Sequence, residues 1–214
     1  MHSYFTRGAL AAAVLLAAAP VAAQSRTPVR STGFILGIGL GGTNFSPEDG
    51  DGTTGGGGNL DLGWGFTPRF AVLLGLNGAA FEWEGVSDRG NEDMTLAHVD
   101  LLARYSFHSP TSIYVPYVEG GITRRAFSSN DDDVPLEGES GKLEYSGNAL
   151  TVGGGINFFF NQALALDLGA RVSLGKFDTI KFRGTSVTDE GFELDATTTR
   201  FTLGLTWYPM KGRQ

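Results

Sequence analysis

The stretch from Leu150 to Val172 is LTVGGGINFFFNQALALDLGARV, and it contains the pattern that decides the fold. Apolar side chains recur at nearly every second position on both sides of the short polar break at 161–163. Glycine, alanine, asparagine or a single charge fills most positions between them. Because side chains on a strand alternate between two faces, the stretch predicts two antiparallel strands joined by a tight turn.

The same alternation recurs in six further segments, which brings the predicted number of strands to eight. These segments are 34–41, 60–66, 70–77, 97–105, 116–123 and 200–208. The second face carries small residues instead of the long charged side chains of a solvated sheet, and the chain contains 32 glycines. This favours an all-β, eight-stranded antiparallel up-and-down barrel that is apolar outside and tightly filled inside. A soluble lipocalin-like barrel, with an apolar interior, is the alternative.

The lengths of the connections between these segments alternate strictly. Three are short (67–69, 108–112 and 161–163), and four are long (about 44–58, 85–94, 127–147 and 176–195). Short periplasmic turns and long extracellular loops are typical of outer-membrane barrels. The alternation therefore predicts a transmembrane barrel in the outer membrane of a Gram-negative type of cell, with both termini in the periplasm.

The N-terminal residues have the pattern of a secretory signal peptide. A basic start at Arg7 precedes a short apolar run and the small residues Pro20–Ala23. We expect a cleaved signal at 1–23, a lead-in at 24–31, the barrel at 32–208 and a tail at 209–214; an uncleaved N-terminal anchor is the alternative. Loss of Arg7 lowers the net charge of −7 by one, to −8. This acidic balance argues against nucleic-acid binding.

The aromatic residues cluster near the predicted strand ends. Close to the short turns we expect a girdle at the membrane interface, made of Phe66, Phe70, Tyr105, Phe107, Phe158, Phe160, Trp207 and Tyr208. A second set near the long loops is expected to mark the other interface: Phe45, Phe81, Trp83, Phe127, Tyr145 and Phe177.

Several stretches resemble the eight-stranded outer-membrane β-barrel superfamily, the OmpA-type transmembrane domain and its OmpX-like relatives. They are 100–107, 115–121, 153–159 and 164–171. Arg200–Tyr208 looks like the closing strand that the barrel-assembly machinery recognises in this family. Members often end on that aromatic residue, whereas six residues follow Tyr208 here. The resemblance implies a fold more than a function.

Seven charged residues occupy the inward parity of the predicted strands. They are Asp61, Asp100, Arg104, Glu119, Asp167, Arg171 and Arg200. A charge in a narrow interior of low dielectric constant has to be paired and hydrogen-bonded. We therefore expect a salt-bridge network that plugs the lumen, either as a structural element or as a gate.

Sites for other chemistry are weakly indicated. The acidic stretches 131–133, with Glu137 and Glu139, and 49–52 lack the spacing of an EF-hand. His98 and His108 lack the partners of a hydrolase, and the glycine run 55–58 is expected to be a flexible loop tip. We therefore expect no catalytic residues, no metal and no cofactor.

The function expected from these features is that of a non-enzymatic surface protein with an envelope-structural or adhesion role. The alternatives are a small porin-like pore and, less favoured, a lipid-modifying enzyme. The expected partners are outer-membrane lipids, lipopolysaccharide and, during insertion, the barrel-assembly machinery. The barrel is expected to be monomeric.

Overall fold

The structure is a computed structural model that describes residues 32–47, 52–83, 92–107, 112–129, 135–136, 139–140, 143–182, 185–187 and 194–209. The predicted signal peptide and lead-in, and most of the predicted tail, lie outside these ranges. Within them, the regular elements are all β-strands. None of the described residues belongs to a helix long and apolar enough to cross a membrane.

The described strands, in chain order, are β1 (Gly33–Pro47), β2 (Thr53–Gly65), β3 (Phe70–Trp83), β4 (Glu92–Ser106), β5 (Tyr114–Ser129), β6 (Pro135–Leu136), β7 (Glu139–Ser140), β8 (Leu143–Phe159), β9 (Leu164–Phe182), β10 (Thr185–Val187) and β11 (Leu194–Trp207). The short strands β6 and β7 pair with each other, and β10 extends the edge of β9. The other strands form the barrel.

The barrel closes because its last strand pairs with its first. Each long strand is antiparallel to the next in the order β1, β2, β3, β4, β5, β8, β9, β11, and β11 returns to β1 with Leu203 opposite Leu40. Closure removes the unpaired edges that an open sheet would expose. The described residues thus confirm the predicted eight-stranded antiparallel up-and-down barrel.

The two ends of the barrel differ in their connections. The turn end carries the short connections 66–69, 107–113 and 160–163, and the loop end carries the long ones. Side chains stabilise two of the turns: Asn161 Oδ1 accepts the N–H groups of Ala163 (2.8 Å) and Leu164 (3.0 Å), and Thr67 Oγ1 accepts that of Phe70 (2.9 Å). Asparagine and threonine are common in turns because they bond to the backbone in this way.

The strands extend further towards the loop end than the sequence predicts. The glycine run 55–58 was expected to be a loop tip, but it lies within β2. Here Gly57 pairs with Gly41 on one side and Ala79 on the other, and a Cβ on Gly57 would collide with the carbonyl oxygen of Gly78. Pairing with two neighbours outweighs the low strand propensity of glycine. Similarly, β9 continues to Phe182, past the predicted loop start at 176.

The outward face carries the large apolar side chains. Leu40 is 74% exposed and Leu150 is 68% exposed, whereas the inward Leu73 and Ala165 are fully buried. This apolar outer belt is the reverse of a solvated sheet and matches a barrel whose solvent is lipid.

Candidate functional site

The seven predicted charges all point into the barrel. Their positions are Asp61 on β2, Asp100 and Arg104 on β4, Glu119 on β5, Asp167 and Arg171 on β9, and Arg200 on β11. Six are buried and Asp167 is half-buried. Glycines make room for them: a Cβ on Gly75 would lie 2.8 Å from Asp61 Oδ1, and one on Gly153 would lie 3.0 Å from Arg171 Cγ. The small inward residues and the inward charges are therefore parts of one arrangement.

Arg171 is the centre of the network. Its Nε donates to Glu119 Oε1 at 2.6 Å, and its two Nη atoms donate to the carboxylate of Asp61 at 3.2 and 3.0 Å. Its Nη1 also lies 3.6 Å from Asp100 Oδ2. The planar guanidinium suits this task because its N–H groups form a rigid fork that can serve several carboxylates at once.

Arg104 extends the network towards the turn end. Its Nε and Nη2 each lie 2.8 Å from Glu119 Oε2, so Glu119 is shared between two arginines. The guanidinium stacks over the ring of Tyr117 at 3.9 Å, and the Tyr117 hydroxyl donates to Asp167 Oδ1 at 2.9 Å. Tyr117 thus orients the arginine and satisfies one oxygen of the Asp167 carboxylate, whose other oxygen lies 3.7 Å from Arg104 Nη1.

Arg200 extends the network towards the loop end. Its Nη atoms hold both oxygens of Asp100 at 2.7 and 3.1 Å, and Nη2 also donates to Ser173 Oγ at 3.0 Å. Thr123 donates to Asp100 Oδ1 at 2.6 Å, and Thr151 joins Thr123 to Ser173 through hydroxyl hydrogen bonds. These hydroxyls link three neighbouring strands across the interior.

Arg125 is an interior residue that the sequence analysis missed. It is fully buried on β5, where Nη1 donates to the carbonyl of Ala196 (2.9 Å) and to Thr198 Oγ1 (3.2 Å). Its Nε and Nη2 have no hydrogen-bond partner among the described residues. Extension of the inward parity of β5 by two positions beyond Thr123 would have found it. Arg125 brings the number of described interior arginines to four, which equals the number of carboxylates in the network. It lies apart from those carboxylates.

His98 lies opposite Arg125 in the register of β4 and β5, inside the barrel as its parity predicts. It is 2% exposed, and its Nε2 has no hydrogen-bond partner in the described part of the chain. The described residues contain no group of histidine and acidic side chains that could hold a metal ion. His108 and the acidic stretches 49–51 and 131–133 lie outside the described ranges. So does Glu137, and the side chain of Glu139 is not described.

Two apolar clusters inside the barrel enclose the charged network. The turn-end cluster consists of Ile35, Ala71, Leu73, Leu102, Val115, Phe159, Ala165 and Tyr208. The loop-end cluster consists of Phe45, Ala79, Phe81, Leu96, Phe177 and Ala196, with Met94, Phe127 and Tyr145 packed against it. Along the described strands, the interior is thus apolar, then charged, then apolar again.

The clusters correct two predictions about aromatic residues. The sequence predicts Tyr208 in the turn-end girdle, but this residue is 5% exposed and its ring stacks on that of Phe159 inside the barrel, with centroids 5.5 Å apart.

The expected loop-end girdle residues Phe45 and Phe177 also point inward, where their rings meet edge to face at 6.0 Å. Phe81, Phe127 and Tyr145 lie in or against the same cluster. The prediction used only height along the barrel, whereas strand parity decides the face. The side chain of Trp83 is not described.

The rest of the predicted girdle faces outward at the turn end. Its exposed members are Phe66, Phe70, Tyr105, Phe107, Phe160 and Trp207, and Phe158 is half-buried. Neighbouring rings contact one another: the centroids of Phe66 and Phe70 are 6.2 Å apart, and those of Tyr105 and Phe107 are 5.3 Å apart. Outward rings at one end of an apolar belt are typical of a membrane interface.

Comparisons with known proteins agree with this geometry. The family described as "Outer membrane protein beta-barrel domain" matches residues 9–208. Among solved structures, neisserial surface protein A (NspA) is 16% identical with a TM-score of 0.59, over 82% of this chain and 97% of that chain. OprG from Pseudomonas aeruginosa is 15% identical with a TM-score of 0.55, over 85% and 98%.

A third similar structure is Ail, the attachment invasion locus protein of Yersinia pestis. It is 15% identical with a TM-score of 0.53, over 82% of this chain and 98% of that chain. No curated protein sequence matches the chain. At these identities the similar structures support the fold alone.

Proposed function

Since the chain belongs to the family of outer membrane protein β-barrel domains, we propose that it is a closed, non-enzymatic barrel that supports its loop-end connections at the cell surface. Their role is adhesion or structural support of the envelope. Membership in this family implies the outer membrane of a Gram-negative cell. The observation that carries the proposal is the filled interior, in which two apolar clusters enclose a paired charge network.

The contacts of the network argue against a gate. An eight-stranded barrel is just wide enough for side chains to fill. Opening a path past Arg171 would separate it from Glu119 and Asp61 at once. Loss of one partner of a buried ion pair costs about 3–5 kcal/mol. The apolar rings of Phe81 and Phe177 would still close the loop end.

The proposed orientation places the loop end outside the cell. Strand β1 starts and β11 finishes at the turn end, so both termini of the barrel share that end. Short connections belong on the periplasmic side of such barrels, and long ones outside. Strand β9 is 19 residues long, whereas about 9–11 residues cross a membrane. The excess extends the strand beyond the lipid, where it supports the connections.

Two of the similar structures are of proteins whose names fit a surface role. One is a neisserial surface protein and the other an attachment invasion locus protein. We propose the same general role here, with outer-membrane lipids and lipopolysaccharide around a monomeric barrel. The barrel-assembly machinery is the proposed partner during insertion, with Arg200–Tyr208 as the segment that it recognises.

Conductance across a planar lipid bilayer tests the closed interior. The purified barrel is expected to give no steady pores, because the charged layer and both clusters block its axis. A variant with Arg104, Glu119 and Arg171 all replaced by serine provides the comparison, since it removes the centre of the network. Steady, uniform pores from the parent protein would establish the porin-like alternative instead.

Mass analysis of lipid A from cells with and without the protein tests the non-enzymatic part of the proposal. The acyl pattern is expected to be the same in both. A changed pattern would make the barrel a lipid-modifying enzyme.

A further inference from the structure

A hollow of about 690 Å³ lies in the outer surface of the barrel, across β3, β4, β5, β8 and β9. Its wall on the turn-end side is formed by outward apolar side chains, Leu101, Ile122, Leu150 and Leu174. Ile122 is 60% exposed and Leu150 is 68% exposed, so these groups cover little of one another. The hollow therefore offers apolar surface to a long, thin hydrocarbon chain.

The loop-end rim of the same hollow is polar. Arg124, Asn148 and Lys176 line it, and each lies two residues nearer the loop end than its neighbour on the same face, Ile122, Leu150 or Leu174. Arg124 is directly opposite Asn148, and Asn148 is directly opposite Lys176. Two strand spacings, about 10 Å, separate the Cα atoms of Arg124 and Lys176. The rim thus has one exposed cation on each side of the small neutral amide of Asn148.

Two acidic residues lie near the rim on the side of Lys176. Lys176 Nζ is 3.7 Å from Asp195 Oδ2, in an exposed pair, and Asp178 also lines the hollow on β9. Exposed pairs of this kind are weak and leave the lysine able to attract an anion. Arg124 lies across Asn148 from both acids. The cations are therefore poised at the border between apolar surface and water, where a lipid phosphate lies.

We propose that this hollow binds one lipopolysaccharide molecule of the outer leaflet, with a lipid A phosphate between Arg124 and Lys176 and acyl chains against Ile122 and Leu150. The inference rests on the proposed orientation of the loop end towards the outside. Charge complementarity carries it: the cations stand at the phosphate's level, and the apolar wall continues from them towards the membrane centre. A phosphate that contacts two cations gains charge-assisted hydrogen bonds that a neutral headgroup lacks.

Native mass spectrometry of the purified full chain in micelles with bisphosphorylated lipid A tests the proposal. The parent is expected to retain at most one lipid A per barrel, at a lipid A concentration chosen so that loading is incomplete. The pair of substitutions Arg124→Gln and Lys176→Gln is expected to reduce the retained fraction about tenfold.

Asn148→Asp, which changes charge but hardly changes size, is expected to reduce the retained fraction several-fold, because it sets a carboxylate between the two cations. Asp178→Asn is expected to increase it, because it removes a nearby negative charge.

Arg69→Gln is the matched control, because Arg69 is an exposed arginine at the turn end. It is expected to retain lipid A like the parent. Equal retention by every variant, or equal retention of dephosphorylated lipid A, would overturn the proposal. Heat-modifiable gel migration shows separately that each variant is a folded barrel. Conductance tests the closed interior independently, so failure of the lipid site and failure of the proposed function remain distinct.

Discussion

At the scale of single residues, the interior arginines differ in how well their charge is compensated. Arg171 contacts three carboxylates, whereas Arg125 bonds to a backbone carbonyl and a threonine hydroxyl. A buried charge stabilises a fold only when its partners repay the cost of removing it from water. These two arginines should therefore respond differently to the same substitution.

Replacement of Arg171 by methionine is expected to lower the free energy of unfolding by about 3–5 kcal/mol, because it removes the arginine that pairs with Asp61 and leaves Glu119 with Arg104 alone. Urea unfolding in detergent micelles, followed by heat-modifiable migration, measures the loss. Arg125→Met is the matched control and is expected to cost little or to stabilise the barrel, since Arg125 pairs with none of the carboxylates in the described residues. An equal loss in both variants would show that the ion pairs do not hold the interior together.

At the scale of elements, the glycine-rich strands β1, β2 and β3 have one crowded face and one open face. A Cβ on the inward Gly41 would collide with the backbone carbonyl of Phe201 on β11. A Cβ on the outward Gly56 would meet nothing within 4 Å. The close approach of neighbouring backbones at Gly41 is part of how the barrel closes.

We predict that Gly41→Ala lowers the free energy of unfolding by about 1–3 kcal/mol, because the added methyl group forces the closing strands apart. Gly56→Ala is expected to be neutral or to stabilise the barrel by about 0.4–1 kcal/mol, since it reduces the freedom of the unfolded chain. The urea midpoints of the two variants measure the difference. Equal midpoints would contradict the assignment of faces in β1 and β2.

The outward face of β9 provides a second prediction at this scale. Leu168 lies midway along the apolar part of the strand, and Leu174 lies beside the polar rim at Lys176. Leu168→Arg is expected to cost about 2–4 kcal/mol in a bilayer, and Leu174→Arg about 0–1 kcal/mol, because the penalty for a charge falls towards the interface. Unfolding in lipid vesicles measures both. A soluble barrel would show no such dependence on depth.

At the scale of the whole molecule, the two ends of the barrel differ in structure. The turn end is compact, with short connections and a girdle of outward rings. At the loop end the strands extend further than the sequence predicts, and an interior apolar cluster lies beneath the connections. Along the described strands the two clusters and the charged network fill the interior, so the proposed surface role is assigned to the loop end.

Cysteine labelling tests the orientation of the whole molecule, and the chain suits it because it contains no cysteine. Asp132→Cys, in a long connection, is expected to react with a membrane-impermeant maleimide on intact cells. Gln162→Cys, in a turn-end connection, is expected to react only after the outer membrane is permeabilised. The opposite pattern would reverse the proposed orientation and remove the basis of the lipopolysaccharide site.

The barrel, the number of strands and the inward parity of the seven charges could all be predicted from the order of the amino acids. Those features depend on alternation with a period of two and on connection length, which are local properties of the chain. The same parity, applied further along β5 and to Phe45, Phe177 and Tyr208, would have placed Arg125 and the interior rings correctly.

The pairing of the interior charges could not be predicted from single strands, because it depends on the closed barrel. Arg171 on β9 bonds to Asp61 on β2, two strands that are not neighbours in the sheet but face each other across the interior. Such contacts depend on the stagger between strands and on the width of the closed barrel, and neither leaves a signal in a single strand. The extra length of β2 and β9 has the same origin, because pairing with two neighbours holds segments as strands that would not form strands alone.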